Sequence, residues 1–173
     1  MSQPIVFRLP TEYLIKPFDC GDNDLNDFLF NDAQAFQAQR LAVTYLLEDE
    51  QSTVAFFSIL NDKVSVDDFQ GDNTSRNRFN RHLPNAKRFR SYPAVKLARL
   101  GVSNQHKGGG YGTLILDFLK RMLMDSSTAC RFLTVDAYQQ ALHFYERNGF
   151  AYLTTRDEGQ ATRLMYFDLS TLL

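Results

Sequence analysis

Short apolar runs alternate with amphipathic stretches along the chain, and their spacing predicts a mixed α/β order around one sheet. Residues 4–9 read as a first strand. Asp22 or Asp24 is placed to cap a helix over residues 25–40, where Leu25, Phe28, Leu29, Ala33, Ala35 and Phe36 recur at helical spacing. Ala42 to Leu47 and Val54 to Leu60 read as strands around a polar turn at residues 48–53. Residues 61–92 are polar and basic, with Pro84, and read as an irregular or weakly helical excursion. A strand over Val95–Val102 leads into a glycine-rich turn, Asn104–Gly112, and then a helix over Thr113–Met124. Ile115, Phe118, Leu119 and Met122 share one face of that helix; Asp117, Lys120 and Arg121 share the other. A strand over Arg131–Val135 and a short helix over Gln139–Arg147 follow, the helix ending in Asn148-Gly149 as a left-handed cap, with Phe150 placed for its hydrophobic contact. Ala151–Leu153 and Arg163–Leu169 close the sheet.

The 173 residues suit a single domain over 1–173, and a 44% hydrophobic fraction with 15 Phe and 8 Tyr supplies a core. No apolar run approaches the ~18 residues that span a bilayer, and the opening Met1-Ser2-Gln3-Pro4 has no export signature, so a cytoplasmic protein without membrane partners is expected. Cys20 and Cys130 make neither a disulfide framework nor a metal cluster, and read as small packed hydrophobes.

Charge is segregated along the chain. Asn73 to Leu116 holds no Asp or Glu but nine basic residues: Arg76, Arg78, Arg81, Lys87, Arg88, Arg90, Lys96, Arg99 and Lys107. The rest carries 10 basic and 20 acidic residues, so −10 stands against +9. Such a stretch faces an anion (a nucleotide, RNA or an acidic partner) or is a solvated loop salt-bridged to the acidic first third.

The glycine run inside that stretch favours an anion. In Lys107-Gly108-Gly109-Gly110-Tyr111-Gly112, between a strand and a helix, glycines let the main chain approach a ligand, and amides at a helix start cradle phosphate. A tight turn that binds nothing is the competing reading. A Walker loop is disfavoured because Gly112-Thr113 lacks the lysine, and a dinucleotide fingerprint because Thr113 stands where its third glycine belongs.

The loop resembles that of the GCN5-related N-acetyltransferase (GNAT) family, a strand followed by (Arg/Gln)-x-x-Gly-x-(Gly/Ala) and a long helix. Val102 ends the strand, and Lys107 replaces the usual Arg or Gln while keeping a cation near the phosphates. A frame two residues earlier, Gln105 to Gly110, also satisfies the pattern. A second segment, Ala141-Leu142-His143-Phe144-Tyr145-Glu146-Arg147-Asn148-Gly149-Phe150, is similar to the family's Ala-x-x-Phe-Tyr-x-x-x-Gly-Phe, 29 residues beyond Gly112. The resemblance implies a mixed, mostly antiparallel central sheet flanked by helices, with acetyl-coenzyme A as cosubstrate.

It also implies roles. Main-chain amides of Lys107, Gly108, Gly109, Gly110, Tyr111, Gly112 and Thr113 would hold the pyrophosphate, and the strand at Leu100, Gly101 and Val102 would hold the pantetheine arm and polarise the thioester carbonyl. Tyr145 would protonate the departing thiolate, as a phenol protonated at neutral pH can; packing in the core is its other reading. No general base stands out: Asp136, Glu146, His106 and His143 read equally well as solvated side chains. No metal is implied.

For the acceptor, Phe18-Asp19-Cys20-Gly21-Asp22-Asn23-Asp24-Leu25-Asn26-Asp27-Phe28-Leu29 is similar to Phe-x-Cys-Gly-x-x-x-Leu-x-x-Phe-Leu, the opening of a branch of toxins that acetylate the amino group of aminoacyl-tRNA and pair with an antitoxin. The basic segment 73–90 suits RNA phosphates, whereas a pI near 6.3 and the acidic first 72 residues do not. An unidentified primary amine as acceptor, and a non-catalytic module binding coenzyme A or nucleic acid, stay open. Sheet edges and the hydrophobic Leu169–Leu173 tail make a homodimer an expectation.

Overall fold

The structure is a computed structural model that describes residues 3–84 and 90–173. Seven strands are described: β1 (Ile5–Arg8), β2 (Val43–Glu48), β3 (Thr53–Ser65), β4 (Ser91–Val102), β5 (Phe132–Tyr138), β6 (Ala151–Tyr152) and β7 (Thr162–Asp168). They form a sheet of order β1-β2-β3-β4-β5-β7-β6. The β1–β2, β2–β3, β5–β7 and β6–β7 pairs are antiparallel; β4 and β5 run parallel over Ala94–Lys96 and Phe132–Thr134. The architecture is the mixed, mostly antiparallel α/β sheet flanked by helices that the sequence implies.

The chain divides into two compact units, Met1–Leu60 with Leu97–Leu119 and Asn61–Lys96 with Lys120–Leu173. In the first, the Asp22 side chain accepts from the amides of Asp24 and Leu25 and starts α1 (Asn23–Asp27). The helix widens into a π-type turn over Phe28–Asp32, where the Ala33 amide reaches the Phe28 carbonyl, and resumes as α2 (Ala33–Ala38). Phe28, Leu29 and Ala33 pack with Leu9, Phe18, Cys20, Leu46 and Phe56 as its core. Gln37 ties α2 to two strands by donating to the Leu9 carbonyl at 2.6 Å and accepting from the Thr44 amide at 3.2 Å.

The second unit holds α3 (Asn73–Asn80) and α5 (Leu142–Arg147). Its core gathers Val64, Phe69, Phe79, Leu83, Ala94, Phe132 and Leu153, with Tyr92, Leu164 and Tyr166 packed against it. Asp72 caps α3 through the Ser75 amide at 3.0 Å and also takes the Thr155 amide at 2.9 Å and the Thr154 and Thr155 hydroxyls at 3.1 and 2.8 Å. The described residues of segment 61–92 are therefore more ordered than their polarity suggests: β3 runs on to Ser65, a 3-10 turn covers Val66–Phe69, α3 follows, and β4 begins at Ser91. Lys87 and Arg88 of the basic segment lie outside the described residues.

Candidate active site

The glycine loop joins β4 to α4 (Tyr111–Met124) by way of a 3-10 turn over Asn104–His106. The helix starts two residues before the position that hydrophobic periodicity indicates, because glycine and tyrosine at its head carry no apolar signal. Gly108 and Gly110 have φ of +78° and +80°, and a Cβ at either would meet nothing within 4 Å. The loop therefore presents open backbone to solvent. The amide of Leu114 is the first to reach back, to the Gly110 carbonyl at 3.0 Å, so helix geometry leaves the amides of Tyr111, Gly112 and Thr113 without an intrahelical acceptor. These donors, at the positive end of a 14-residue helix dipole, fit a pyrophosphate.

The turn at Cys20-Gly21 lies against this loop. The Asn104 amide donates to the Asp19 carbonyl at 2.8 Å, and the Lys107 ammonium donates to the Cys20 carbonyl at 2.7 Å. The Lys107 cation, expected near phosphates, is thus bonded to the protein itself. Gly21 has φ of +78°, and a Cβ there would sit 3.2 Å from the Asn104 side chain. Phe18 and Phe56 meet edge-on at 5.4 Å beneath β4, where a Cβ on Gly101 would stand 2.9 Å from Phe56 and 3.2 Å from Phe18. Leu100, Gly101, Val102 and residues 107–113 therefore lie together in the first unit.

Tyr145 lies in the second unit, on α5. It is 6% exposed, its hydroxyl has no hydrogen-bond partner among the described residues, and its burial raises its pKa far above the ordinary phenol value. The ring packs edge-on against Phe144 and Phe150, as its core reading expects, and burial keeps the phenol protonated.

Residues 73–152 match the family model of the acetyltransferase (GNAT) domain, a stretch that contains both the glycine loop and the Tyr145 segment. That stretch is similar to a GNAT acetyltransferase domain. Several solved structures share the fold. A Tyr-to-Phe mutant of KacT aligns over 99% of this chain and 100% of its own, at 20% identity and TM-score 0.77. AtaTR bound with acetyl-CoA aligns over 99% and 97%, at 19% identity and TM-score 0.77. AtaT complexed with acetyl-methionyl-tRNAfMet aligns over 98% and 96%, at 18% identity and TM-score 0.75. No curated protein sequence matches the chain.

The remaining candidates for a base have partners of their own. Asp136 is paired with the Lys96 ammonium at 2.8 Å, and Glu146 lies 4.0 Å from the exposed His143. His106, read as a surface residue, is in fact largely covered: its Nδ1 is buried without a hydrogen-bond partner among the described residues, its Nε2 lies 3.7 Å from Asp49, and its ring meets Tyr111 edge-on. Cys20 and Cys130 are free thiols whose pKa burial pushes up, which makes them inert packing groups.

Two cations depart from their sequence reading. Lys120, placed on the polar face of α4, is 8% exposed; its ammonium donates to the Asn148 carbonyl at 2.8 Å and lies 4.1 Å from the centre of the Phe167 ring. Arg99, on β4 beside Leu100, stacks over Phe28 at 3.8 Å. Among the described residues Arg76, Arg78, Arg81 and Arg90 make no ion pair, so the salt-bridged reading of that stretch does not hold for them.

Proposed function

We propose that the protein transfers an acetyl group from acetyl-coenzyme A to a primary amine, that the amine is the α-amino group of an aminoacyl-tRNA, and that an antitoxin restrains the enzyme. The observation that carries this reading is the open glycine loop, with its two left-handed glycines, at the head of α4 inside a match to an acetyltransferase domain. The acceptor rests on chemistry reported for proteins of the same fold: AtaT is solved with acetyl-methionyl-tRNAfMet and with the antitoxin AtaR. Arg78, Arg81 and Arg90, exposed and without an ion pair among the described residues, suit a polyanion. On this reading residues 1–173 work as one acetyltransferase domain in the cytoplasm.

Acetyl-coenzyme A, once bound, supplies an activated thioester. Amides of Gly108 to Thr113 hold its pyrophosphate, and the β4 backbone at Leu100 to Val102 aligns the pantetheine arm. An N–H of Leu100 or Gly101 stabilises the negative charge that grows on the thioester oxygen, a contribution worth about 3–4 kcal/mol. As the amine nitrogen bonds to the acyl carbon and the carbon–sulfur bond breaks, Tyr145 would give its proton to the leaving sulfur; the amine sheds one proton to water, and water restores the phenol. The α-amino group of an aminoacyl ester needs little help from a base, since ordinary α-amino groups titrate near ~7.7–8 and are partly neutral at pH 7.

Calorimetry with acetyl-CoA, coenzyme A and ATP, followed by thiol release with aminoacyl-tRNA and with a panel of small amines, tests the proposal. Binding of acetyl-CoA but not ATP, with thiol release on aminoacyl-tRNA, is the expected result. Release only with small amines moves the acceptor to that class, and binding with no release leaves a silent coenzyme-binding module.

A further inference from the structure

The N-terminal motif and the glycine loop, 87 residues apart at their closest bond, are parts of one device. Asp19, Cys20 and Gly21 form a tight turn: the Asp19 carboxylate accepts from the Gly21 amide at 2.8 Å and from the Asn26 side chain at 2.9 Å. Asn26 in turn accepts from the Cys20 amide at 3.1 Å and its thiol at 3.3 Å. The turn is thereby fixed to the start of the helix. Its two outward carbonyls, of Asp19 and Cys20, take the Asn104 amide and the Lys107 ammonium. Gly21 is required twice, by its φ of +78° and by the Asn104 side chain standing where a Cβ would go.

We propose that the Cys20-Gly21 turn is a latch that sets the shape of the coenzyme loop, and that Lys107 is a positioning residue acting through the Cys20 carbonyl and not a phosphate ligand. A loop of four glycines in five residues has much backbone entropy to lose on gripping an anion. A charge-assisted bond at its first residue removes part of that cost before the ligand arrives, and does so with a carbonyl acceptor that no mutation of a neighbouring side chain deletes. Lys107 itself is exposed, so its replacement does not empty a core. The inference rests on the proposed use of this loop for acetyl-coenzyme A.

The test uses the full chain and two substitutions, Lys107→Met and Gly21→Ala, read by amide hydrogen exchange without ligand and by calorimetry with acetyl-CoA. Both variants are expected to speed exchange at residues 108–113 and to weaken acetyl-CoA binding about tenfold, with the double variant little worse than either single one. Lys107→Arg, which keeps a donor, restores most of the affinity. Weakened binding in Lys107→Met with unchanged loop exchange makes Lys107 a direct phosphate contact and overturns the latch; so does unchanged exchange in both variants. Wild-type protein that binds no acetyl-CoA refutes the proposed function, and the exchange data then decide the latch alone.

Discussion

The amide of Phe150 donates to the Tyr145 carbonyl at 3.0 Å, and the two rings meet edge-on with centroids 5.3 Å apart. With the Gly149 amide on the Glu146 carbonyl at 3.0 Å, this completes a Schellman cap at the end of α5. The cap holds Tyr145 by its backbone and its ring, leaving the hydroxyl with no structural bond to make.

Tyr145→Phe therefore separates chemistry from folding. Turnover falls about tenfold or more, while acetyl-CoA affinity and thermal stability stay at wild-type values, as steady-state kinetics, calorimetry and a melting curve will show. Because burial raises the Tyr145 pKa, the folded state holds its proton above the ordinary value of 10.0 while the unfolded chain releases it. Stability is unaffected by this group below pH 10 and declines as pH rises beyond it. In Tyr145→Phe that alkaline decline is shallower.

Gly149→Ala breaks the cap itself. The residue has φ of +86°, and a Cβ there would lie 2.9 Å from the Phe167 ring. The backbone strain alone costs about 1–2 kcal/mol, and the ring must move as well. A lower denaturant midpoint, with turnover falling alongside it as Tyr145 loses its anchor, is the expected outcome.

Gly101→Ala probes the strand that leads into the glycine loop. The added methyl meets Phe56 at 2.9 Å and Phe18 at 3.2 Å, two rings packed on each other. Overpacking of this kind costs about 1–3 kcal/mol. Chemical denaturation measures the loss, and Phe56→Leu in the same chain is expected to relieve part of it.

Acid stability reports on Asp72. The Thr155 amide, with the Ser75 and Thr155 groups behind it, holds its carboxyl far below the usual carboxylate range. A depressed folded-state value gives stability that is complete above the unfolded value of about 3.9 and is lost as pH falls below it. Asp72→Asn lowers the denaturant midpoint at pH 6 and brings a smaller further drop on acidification, so the two midpoints converge toward pH 3.

What could be read from the residues alone follows the range of the interactions. The helix cap at Asn148-Gly149 is local: its glycine, its hydrogen bonds and its aromatic partner fall within six residues, and the sequence displays all of them. The glycine loop is legible for the same reason. Segment 61–92 is not, because α3 is capped by an aspartate whose other partners, Thr154 and Thr155, are 82 and 83 residues away. Asp62 looks like a loop residue, yet it continues β3 and accepts from the Thr134 hydroxyl, 72 residues away, at 2.6 Å. Lys120 sits on the polar face by helical periodicity, and only the Asn148 carbonyl and the Phe167 ring explain its burial. The Phe18 to Leu29 motif was visible as a pattern, while its attachment to Asn104 and Lys107 was not.

The widened turn over Phe28–Asp32 fixes the phase of everything behind it in that helix. Its Ala33 amide reaches five residues back, so the turn absorbs one extra residue, and deleting one there would let an ordinary α-helix form while keeping Gln37 turned toward Leu9 and Thr44. A deletion in the regular turn that follows would instead swing Gln37 by about 100° and cost both bonds. Relatives of this chain should accordingly accept the loss of one residue within Phe28–Asp32 far better than within Ala33–Ala38.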